Sequence, residues 1–226
     1  MADAKDFEGR VVIVTGAAGA LGSAVATHFS DRGATVAGLD VIERDDIIAC
    51  DLFDQTSCRS AVDLVLKSHQ KVDVLANVAG GFAMGDAVHE TEASTWDLMH
   101  KLNTGSVVHM AAATVPAMLA TGGGKIINVA ARAGLRGAAT MGAYVASKSA
   151  VIRLTETMAE ELKEQGINVN CVLPSLIDTP TNRDAMPDED FSRWVTPHSI
   201  AQVIAFLASD AASDVHGAAL PVEGLS

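Results

Sequence analysis

The sequence predicts an α/β fold, a doubly wound parallel sheet with helices on both faces, and two observations carry this prediction. Short runs of apolar residues alternate with longer segments of helical period almost from end to end. The short runs are apolar on both strand faces, as is typical of parallel strands covered by helices above and below. No change of composition marks a domain boundary, so we expect residues 1–226 to form a single domain.

Seven strands and five helices are predicted in chain order from these periods. Runs rich in Val, Ile, Leu and Ala predict strands at 11–14, 35–39, 47–50, 72–76, 125–129 and 168–173, with a short edge strand at 220–222. Helical spacing predicts helices at 21–32, 57–67, 95–119, 142–165 and 199–209, and glycines at 33, 122–124 and 166 are suitable helix stops. The polar segment 174–198 contains four prolines and has no clear period.

The connection between the second and third strands is unusually short. Only residues 41–46 separate them, whereas a parallel crossover normally takes a dozen or more residues with a helix. The sequence therefore predicts an extended crossing without a helix at this place.

The composition excludes several classes of function. Sixteen Lys and Arg against 28 Asp and Glu give a net charge of −12, which argues against binding to nucleic acid or to anionic membranes. Three cysteines without a C-x-x-C pair and seven histidines without ligand spacing argue against a disulfide framework and a metal site. The first residues lack the apolar core of a signal peptide, and no apolar stretch is long enough to span a bilayer. We expect a cytoplasmic protein with a small-molecule substrate.

The first chemical motif, Thr15-Gly16-Ala17-Ala18-Gly19-Ala20-Leu21-Gly22, lies between the first strand and the first helix. A glycine-rich turn there lets the backbone approach a pyrophosphate and presents a helix N-terminus to its charge. An ordinary tight turn would use the same small residues. The candidate dinucleotide contacts in this turn are Gly16, Ala18, Ala20, Leu21 and Gly22.

Two acidic residues at strand ends extend this candidate site. Asp40 ends the second strand, where a carboxylate accepts hydrogen bonds from the adenosine ribose hydroxyls and repels a 2′-phosphate. Asp51 and Leu52 follow the third strand, where the carboxylate is placed to accept from the adenine amino group. A helix cap or loop acid is the alternative interpretation of Asp40. The pattern predicts a preference for NAD(H) over NADP(H), although Arg44 lies close enough in sequence to interfere.

A tyrosine and a lysine with helical spacing form the candidate catalytic pair. Tyr144 is the only tyrosine in the chain, and Lys148 follows one helical turn later on the same face. An ammonium beside the phenol is expected to bring its pKa, ordinarily about 10, toward neutrality, where it can exchange a proton. An exposed surface pair is the alternative interpretation.

These motifs together resemble the short-chain dehydrogenase/reductase family over nearly the whole chain. The family's glycine motif matches residues 15–22, its Asn-Asn-Ala-Gly motif matches Asn77-Val78-Ala79-Gly80 with one departure, and its helical asparagine matches Asn103. The resemblance implies a Rossmann-type fold, a nicotinamide cofactor and a homodimer or homotetramer. It implies that Tyr144 is the acid/base, that Lys148 holds the nicotinamide ribose and that Asn103 supports a proton-relay water. Further cofactor contacts implied by it are Asn77, Ala79, Gly80, Pro174, Ile177 and Thr179.

One residue departs from the family in a way that bears on the substrate. The catalytic serine of the family lies 13 residues before the tyrosine, and Ala131 stands at that position. The quinonoid dihydropteridine reductases, a branch of the family, also carry alanine there. The segment from Leu173 to Trp194 and the short crossing resemble that branch as well. The resemblance then implies a lid over residues 174–198 and a substrate pocket with Phe82, Ala131 and Trp194.

Three functions follow as hypotheses. The first is an oxidoreductase that transfers hydride between NAD(H) and a small carbonyl or quinonoid, dihydropteridine-like substrate. The second is a dehydrogenase or reductase of another activated ketone or alcohol. The third is a non-catalytic dinucleotide sensor, which Ala131 favours and the Tyr144–Lys148 pair disfavours. Phe82 and Trp194 are packing residues in the alternative interpretation.

Overall fold

A seven-stranded, wholly parallel sheet forms the centre of the computed structural model, which describes residues 5–42, 44 and 46–226. The strands are β1 (Val11–Thr15), β2 (Thr35–Asp40), β3 (Ile47–Ala49), β4 (Val74–Asn77), β5 (Gly124–Val129), β6 (Ile167–Pro174) and β7 (Ala219–Val222). Their order across the sheet is β3-β2-β1-β4-β5-β6-β7, and every neighbouring pair is parallel. The strand order reverses between β1 and β4. Ligands of such sheets bind outside the carboxyl ends of the strands at this point.

Helices cover both faces of the sheet, which confirms the doubly wound prediction. They are α1 (Ala20–Asp31), α2 (Gln55–His69), α3 (Ala93–Met99), α4 (Ser106–Ala120), α5 (Gly142–Leu162), α6 (Pro180–Ala185) and α7 (Pro197–Ala208). Helices α1 and α7 pack together on one face, and α2, α4 and α5 lie on the other. No helix of the described residues is long and apolar enough to cross a membrane.

The alternation of side chains along β1 shows how the strands supply both cores. Ile13 joins the core under α2 and α4, together with Val62 and Met110. Val14, the next residue, joins the opposite core under α1 and α7, with Phe29. Since both faces are covered, all five residues of this strand are buried. This is the physical reason why the strand is an unbroken apolar run.

The short crossing between β2 and β3 is confirmed. Strands β2 and β3 are parallel neighbours, with Gly38 opposite Ile47, and the described residues between them contain no helix. Residues 43 and 45, which belong to this predicted crossing, lie outside the described residues.

The predicted helix at 95–119 is divided in the structure. It begins at α3, passes through a π-helical turn (His100–Gly105) and continues as α4. A π-helical turn adds a residue to the helical turn and is frequent at functional sites. Asn103 lies in this turn, and hydrophobic periodicity alone does not reveal such a local insertion.

Candidate active site

The glycine-rich turn after β1 has a backbone path that only glycine permits at two positions. Gly16 has φ of 69°, and a Cβ there would lie 2.9 Å from the Cα of Ala79. A Cβ on Gly22 would lie 2.0 Å from the carbonyl oxygen of Gly16. The turn therefore brings the start of α1 directly against the end of β1.

The N-terminus of α1 is left without a side-chain cap. Its N-cap residue is Gly19, and its first turn carries no acidic residue. By contrast, the carboxylate of Asp54 caps α2 and the hydroxyl of Thr196 caps α7. The first N–H groups of α1 and the positive end of its dipole suit a phosphate.

The turn is tied to the loop after β4 through one buried hydroxyl. Thr15 Oγ1 accepts hydrogen bonds from the N–H groups of Val78 at 3.0 Å and Ala79 at 3.1 Å. Asn77, at the end of β4, donates from Nδ2 to Asn128 Oδ1 at 2.9 Å. These bonds hold Asn77, Ala79 and Gly80 beside the glycine-rich turn. Sequence reasoning matched Thr15 to the motif but did not assign it this role.

The two acidic residues lie at neighbouring strand ends, as predicted. Asp40 accepts from the N–H of Ala18 at 3.0 Å through Oδ2 and from the N–H of Ile42 at 3.4 Å through Oδ1. Asp51 is exposed, and its Oδ1 accepts from the N–H of Phe53 at 2.9 Å. Leu52, which lies between Asp51 and Phe53 in the sequence, is buried. Asp40 thus holds the glycine-rich turn through the N–H of Ala18.

In the Tyr144–Lys148 pair the lysine is buried and the tyrosine is half-buried, so the pair is not an exposed surface pair. Lys148 is 4% exposed, and its Nζ donates to the carbonyl oxygen of Val129 at 2.9 Å. Burial lowers the pKa of Lys148 from 10.5 to about 8, because the charged form loses its hydration. Burial likewise raises the pKa of Tyr144 from 10.0 to about 12. The expected lowering of the phenol pKa is therefore wrong: burial is the cause of the shift, and it raises the pKa.

Phe82 covers one side of the phenol. Its ring contacts the Tyr144 ring edge to face, with centroids 4.9 Å apart, and is itself 56% exposed. Such aromatic pairs stabilise each other beyond simple area burial. Phe82 therefore forms a partly exposed apolar surface beside the Tyr144 phenol.

Asn103 connects the loop that carries Phe82 to the helix that carries Tyr144. Its Oδ1 accepts from the N–H of Gly81 at 2.9 Å, and its Nδ2 donates to the carbonyl of Gly81 at 3.1 Å and to Ser147 Oγ at 3.0 Å. Ser147 Oγ in turn donates to the carbonyl of Tyr144 at 2.8 Å. Both N–H groups of this side-chain amide are thus used by protein groups. The geometry assigns the Asn103 side chain to holding the Gly81 loop against α5, and the expected support of a proton-relay water by Asn103 stays a prediction.

No nearby serine replaces the hydroxyl that is missing at Ala131. Ala131 is buried just beyond the end of β5. Ser147 Oγ is held by Tyr144 and Asn103, and Ser149 Oγ donates to the carbonyl of Gly134 at 2.6 Å. Both hydroxyl protons of these serines on α5 therefore go to backbone carbonyls. Ser147 is a residue whose positioning role the sequence reasoning did not find.

The segment 174–198 is held together by its own contacts. Arg183 forms a two-pronged ion pair with Asp178, at 2.5 and 2.8 Å, and lies over the Phe191 ring at 4.9 Å. Phe191 packs on Trp194 with centroids 4.9 Å apart. Trp194 is only 5% exposed, which favours the alternative interpretation of it as a packing residue.

The predicted cofactor contacts in this segment lie where β6 passes into it. Pro174 is the last residue of β6, and Ile177 forms an isolated bridge with Val195. Thr179 caps α6, where its hydroxyl accepts from the N–H of Asn182. These residues follow the carboxyl end of a strand, at the same edge of the sheet as Asp40 and Asn77.

Comparison with known proteins decides the family. The family model described as short chain dehydrogenase matches residues 10–190. The chain belongs to the short-chain dehydrogenase family. This short-chain dehydrogenase is 35% identical over 240 residues to dehydrogenase/reductase SDR family member 6 of Danio rerio, covering 96% of the chain and 97% of that protein.

Solved structures agree with the assignment. The ligand-free aldohexose dehydrogenase of Thermoplasma acidophilum matches with a TM-score of 0.90 at 28% identity, covering 98% of this chain and 95% of that one. Carveol dehydrogenase from Mycobacterium avium, in complex with NAD, matches with a TM-score of 0.88 at 26% identity, covering 97% and 98%. This short-chain dehydrogenase is therefore an NAD(P)-dependent oxidoreductase with the Rossmann-type fold of its family.

Proposed function

We propose that this short-chain dehydrogenase uses NADH to reduce a flat, electron-poor acceptor of the quinonoid dihydropterin type. The observation that carries the proposal is Ala131, together with the engaged hydroxyls of Ser147 and Ser149. Ala131 has no hydroxyl, and the hydroxyls of Ser147 and Ser149 are already bonded to backbone carbonyls. Of these residues and Tyr144, only Tyr144 can then donate to the oxygen or nitrogen being reduced. Losing one donor from such a site commonly costs about 10²–10³-fold on a plain ketone. A quinonoid ring spreads the developing charge and depends less on a second donor.

The residues of the site fit a nicotinamide dinucleotide. The uncapped N-terminus of α1 suits the pyrophosphate, and the carboxylate of Asp40 suits the ribose hydroxyls of adenosine. A Cβ added to Gly80 would lie 3.0 Å from Lys148 Nζ, so the ammonium lies close to this glycine. We assign Lys148 to the nicotinamide ribose. When bound, the nicotinamide supplies the redox chemistry, and the protein supplies position and electrostatics.

The protein's own step in the reduction is a proton transfer. Tyr144 donates its phenolic proton to the acceptor, and the Lys148 ammonium stabilises the phenolate that is left. Phe82, whose ring contacts the Tyr144 ring, shields one side of the phenol from water. The hydrogen bonds of Asn103 to Gly81 and to Ser147 hold the loop with Phe82 in a fixed position relative to Tyr144.

The decisive experiment measures NADH oxidation against a panel of quinonoid dihydropterin, simple ketones, diketones and acyl thioesters. We expect strong activity on the quinonoid pterin and weak activity on unactivated ketones. Efficient reduction of plain ketones, with none of the pterin, would overturn the substrate proposal and leave the oxidoreductase assignment intact.

The variant Ala131→Ser is expected to increase the activity on plain ketones, by up to about 10²-fold, because it restores a donor beside Tyr144. Activity on the quinonoid acceptor should change little. The measurement is kcat/KM on both substrates for the two proteins. Ser149→Ala is the matched control, since that hydroxyl bonds only to Gly134. A gain of equal size on both substrates would contradict the proposed role of Ala131.

We further propose that the cofactor is NAD(H) in preference to NADP(H). The Asp40 carboxylate repels a 2′-phosphate, and the phosphate is left without a partner. Asp40→Asn keeps an oxygen for the N–H of Ala18 and removes the charge, so the ratio of the two dissociation constants should move toward one. Equal or tighter binding of NADPH by the unaltered protein would refute the assignment.

We also propose that the protein forms a homodimer or homotetramer through α4 and α5. These helices leave an open groove of about 660 Å³ between them, lined by His100, Thr104, Val108, His109, Leu154 and Thr157 among others. Val108 is 44% exposed at this groove, and a symmetric copy would cover it. Light scattering at micromolar concentration should give the mass of a dimer or tetramer. Val108→Glu should lower that mass, and a monomer mass for the unaltered protein would contradict the proposal.

A further inference from the structure

Residues 223–226, which we call the strap, follow β7 and contact both ends of the predicted lid, the segment 174–198. Near the first end of the lid, Ser175 Oγ donates to the main-chain oxygen of Glu223 at 2.6 Å. Near the second end, Arg193 Nη2 donates to the main-chain oxygen of Leu225 at 2.7 Å, and the Leu225 N–H donates to the main-chain oxygen of Arg193 at 2.8 Å. The strap thus joins the two ends of the lid.

The backbone of the strap lies directly against the second end of the lid. Gly224 has φ of 60°, a conformation that glycine adopts without strain. A Cβ added to Gly224 would lie 2.8 Å from the main-chain oxygen of Arg193 and 3.2 Å from the carbonyl carbon of Trp194. The path of the strap over these two residues is therefore fixed by close contact between backbones.

One arginine ties the strap to the loop that carries Ala131. Arg132 is the next residue after Ala131, and its Nε forms an ion pair with Glu223 Oε1 at 2.8 Å. Its Nη1 donates to the main-chain oxygen of Ser226 at 3.0 Å. A guanidinium presents its N–H donors in a rigid fork, so this side chain holds both ends of the strap at once. Through Arg132 the lid is connected to the place where alanine replaces the family's serine.

These contacts specify a position more than they stabilise the fold. The side chains of Arg132 and Glu223 are 45% and 38% exposed. Ion pairs between partly exposed side chains contribute little to the free energy of unfolding, because water screens them and both side chains lose entropy. Replacing Arg132 is therefore expected to leave the protein folded and to change the position of the lid relative to Ala131.

We propose that Arg132 is a positioning residue that holds the lid, through the strap, in the conformation that binds the substrate. This inference rests on the proposed function, which places the substrate beside Ala131 and Tyr144. When only a fraction of the protein has its lid in the binding conformation, the apparent dissociation constant rises by the inverse of that fraction. Substrate that does bind selects this conformation, so the proton transfer from Tyr144 is unaffected. Loss of the Arg132 contacts should therefore raise KM and leave kcat nearly unchanged.

The first test measures hydrogen exchange in the free protein and needs no substrate. The N–H of Leu225, bonded to Arg193, reports whether the strap leaves the lid, and the N–H of Val195, bonded to Leu176 at 3.0 Å, reports whether the lid itself opens. Arg132→Met should speed the exchange of both groups roughly tenfold. Exchange in the buried strand β5 should not change.

The second test measures steady-state kinetics on whichever acceptor of the panel is reduced fastest. Arg132→Met should raise the KM for this acceptor roughly tenfold and change kcat by less than about twofold. Arg132→Lys keeps the charge and loses the fork, so its KM should lie between those of Arg132→Met and the unaltered protein. Glu223→Gln, which removes the other charge of the ion pair, should also raise KM.

Lys163→Met is the matched control. Lys163 is 40% exposed and forms an ion pair with Glu160 at 2.5 Å, at the opposite end of α5 from Tyr144. Its replacement removes a similar surface ion pair that has no contact with the strap. KM, kcat and the exchange of Leu225 and Val195 should all stay as in the unaltered protein.

The outcomes separate this inference from the proposed function. Unchanged exchange and unchanged KM in Arg132→Met would overturn it, and so would a fall in kcat at constant KM. Faster exchange in β5 as well as in the lid would show a general loss of stability and would also overturn it. If the unaltered protein reduced no acceptor of the panel, the proposed function would fail, and the exchange of Leu225 and Val195 would still decide whether Arg132 holds the lid.

Discussion

Replacing Tyr144 by phenylalanine is expected to lower kcat by about 10²–10⁴-fold, the usual contribution of a general acid. The change removes only the phenolic oxygen, so the ring contact with Phe82 and the start of α5 are kept. Binding of NADH should be nearly unchanged, because the proposed cofactor contacts of α1, Asp40 and Lys148 remain. The measurements are steady-state kinetics on the favoured acceptor and a fluorescence titration with NADH. A variant that turns over near the rate of the unaltered protein would show that Tyr144 is not the acid.

The pH dependence distinguishes the tyrosine from the lysine. With a pKa of about 12, the phenol of the free protein stays protonated and ready to donate far above neutrality. With a pKa of about 8, Lys148 loses its charge first as the pH rises. Reduction measured as kcat/KM should therefore be level below pH 8 and fall above it, because the neutral amine no longer stabilises the phenolate. A fall that begins well below pH 8 would contradict the assignment of this limb to Lys148.

Replacing Lys148 by methionine is expected to lower kcat/KM by roughly 10²-fold or more, the magnitude of removing one donor from a reaction site. Unlike Tyr144→Phe, this change should also weaken NADH binding, since the ammonium is assigned to the nicotinamide ribose. Folding should not suffer, because Lys148 is buried without a carboxylate partner and its one described hydrogen bond is to Val129. A buried charge without a partner costs free energy, and an apolar side chain of similar length does not. The melting temperature should be equal to or above that of the unaltered protein.

Lys125→Met is the matched control for this variant. Lys125 is also partly buried, and burial also lowers its pKa, but its Nζ donates to Asn168 near the opposite end of the sheet. Its replacement should leave kcat/KM and NADH affinity unchanged. If both lysine variants lost kcat/KM and NADH affinity to the same extent, the effect of replacing Lys148 would be due to a general loss of stability.

Most of the candidate site could be predicted from the sequence, because each of its motifs lies at the end of a predicted strand. Apolar runs predict these strands and their order along the chain. The residues that end or directly follow them are Gly16, Asp40, Asp51, Asn77 and Pro174. In a parallel sheet the carboxyl ends of all strands share one edge, so neighbourhood in space follows from sequence position. Tyr144 and Lys148 joined them because helical spacing places both on one face of α5.

The role of Asn103 shows where this reasoning ends. A motif match placed the residue, but its hydrogen bonds to Gly81 and Ser147 depend on the π-helical turn and on how α4 and α5 pack. Ser147 carries no signal of its own in the sequence. Both roles are set by which backbone groups come within hydrogen-bond distance after folding.

The sequence by itself determined the parallel α/β fold, the short crossing before β3, the family and the edge of the sheet where the candidate site lies. These follow from local properties, namely hydrophobic period, glycine conformation and the spacing of Tyr144 and Lys148. Only the tertiary structure decided the direction in which the pKa values of those two residues move, the burial of Trp194 and the hydrogen bonds of Asn103 to Gly81 and Ser147. Burial and contact are sums over residues distant in sequence, so no local pattern contains them.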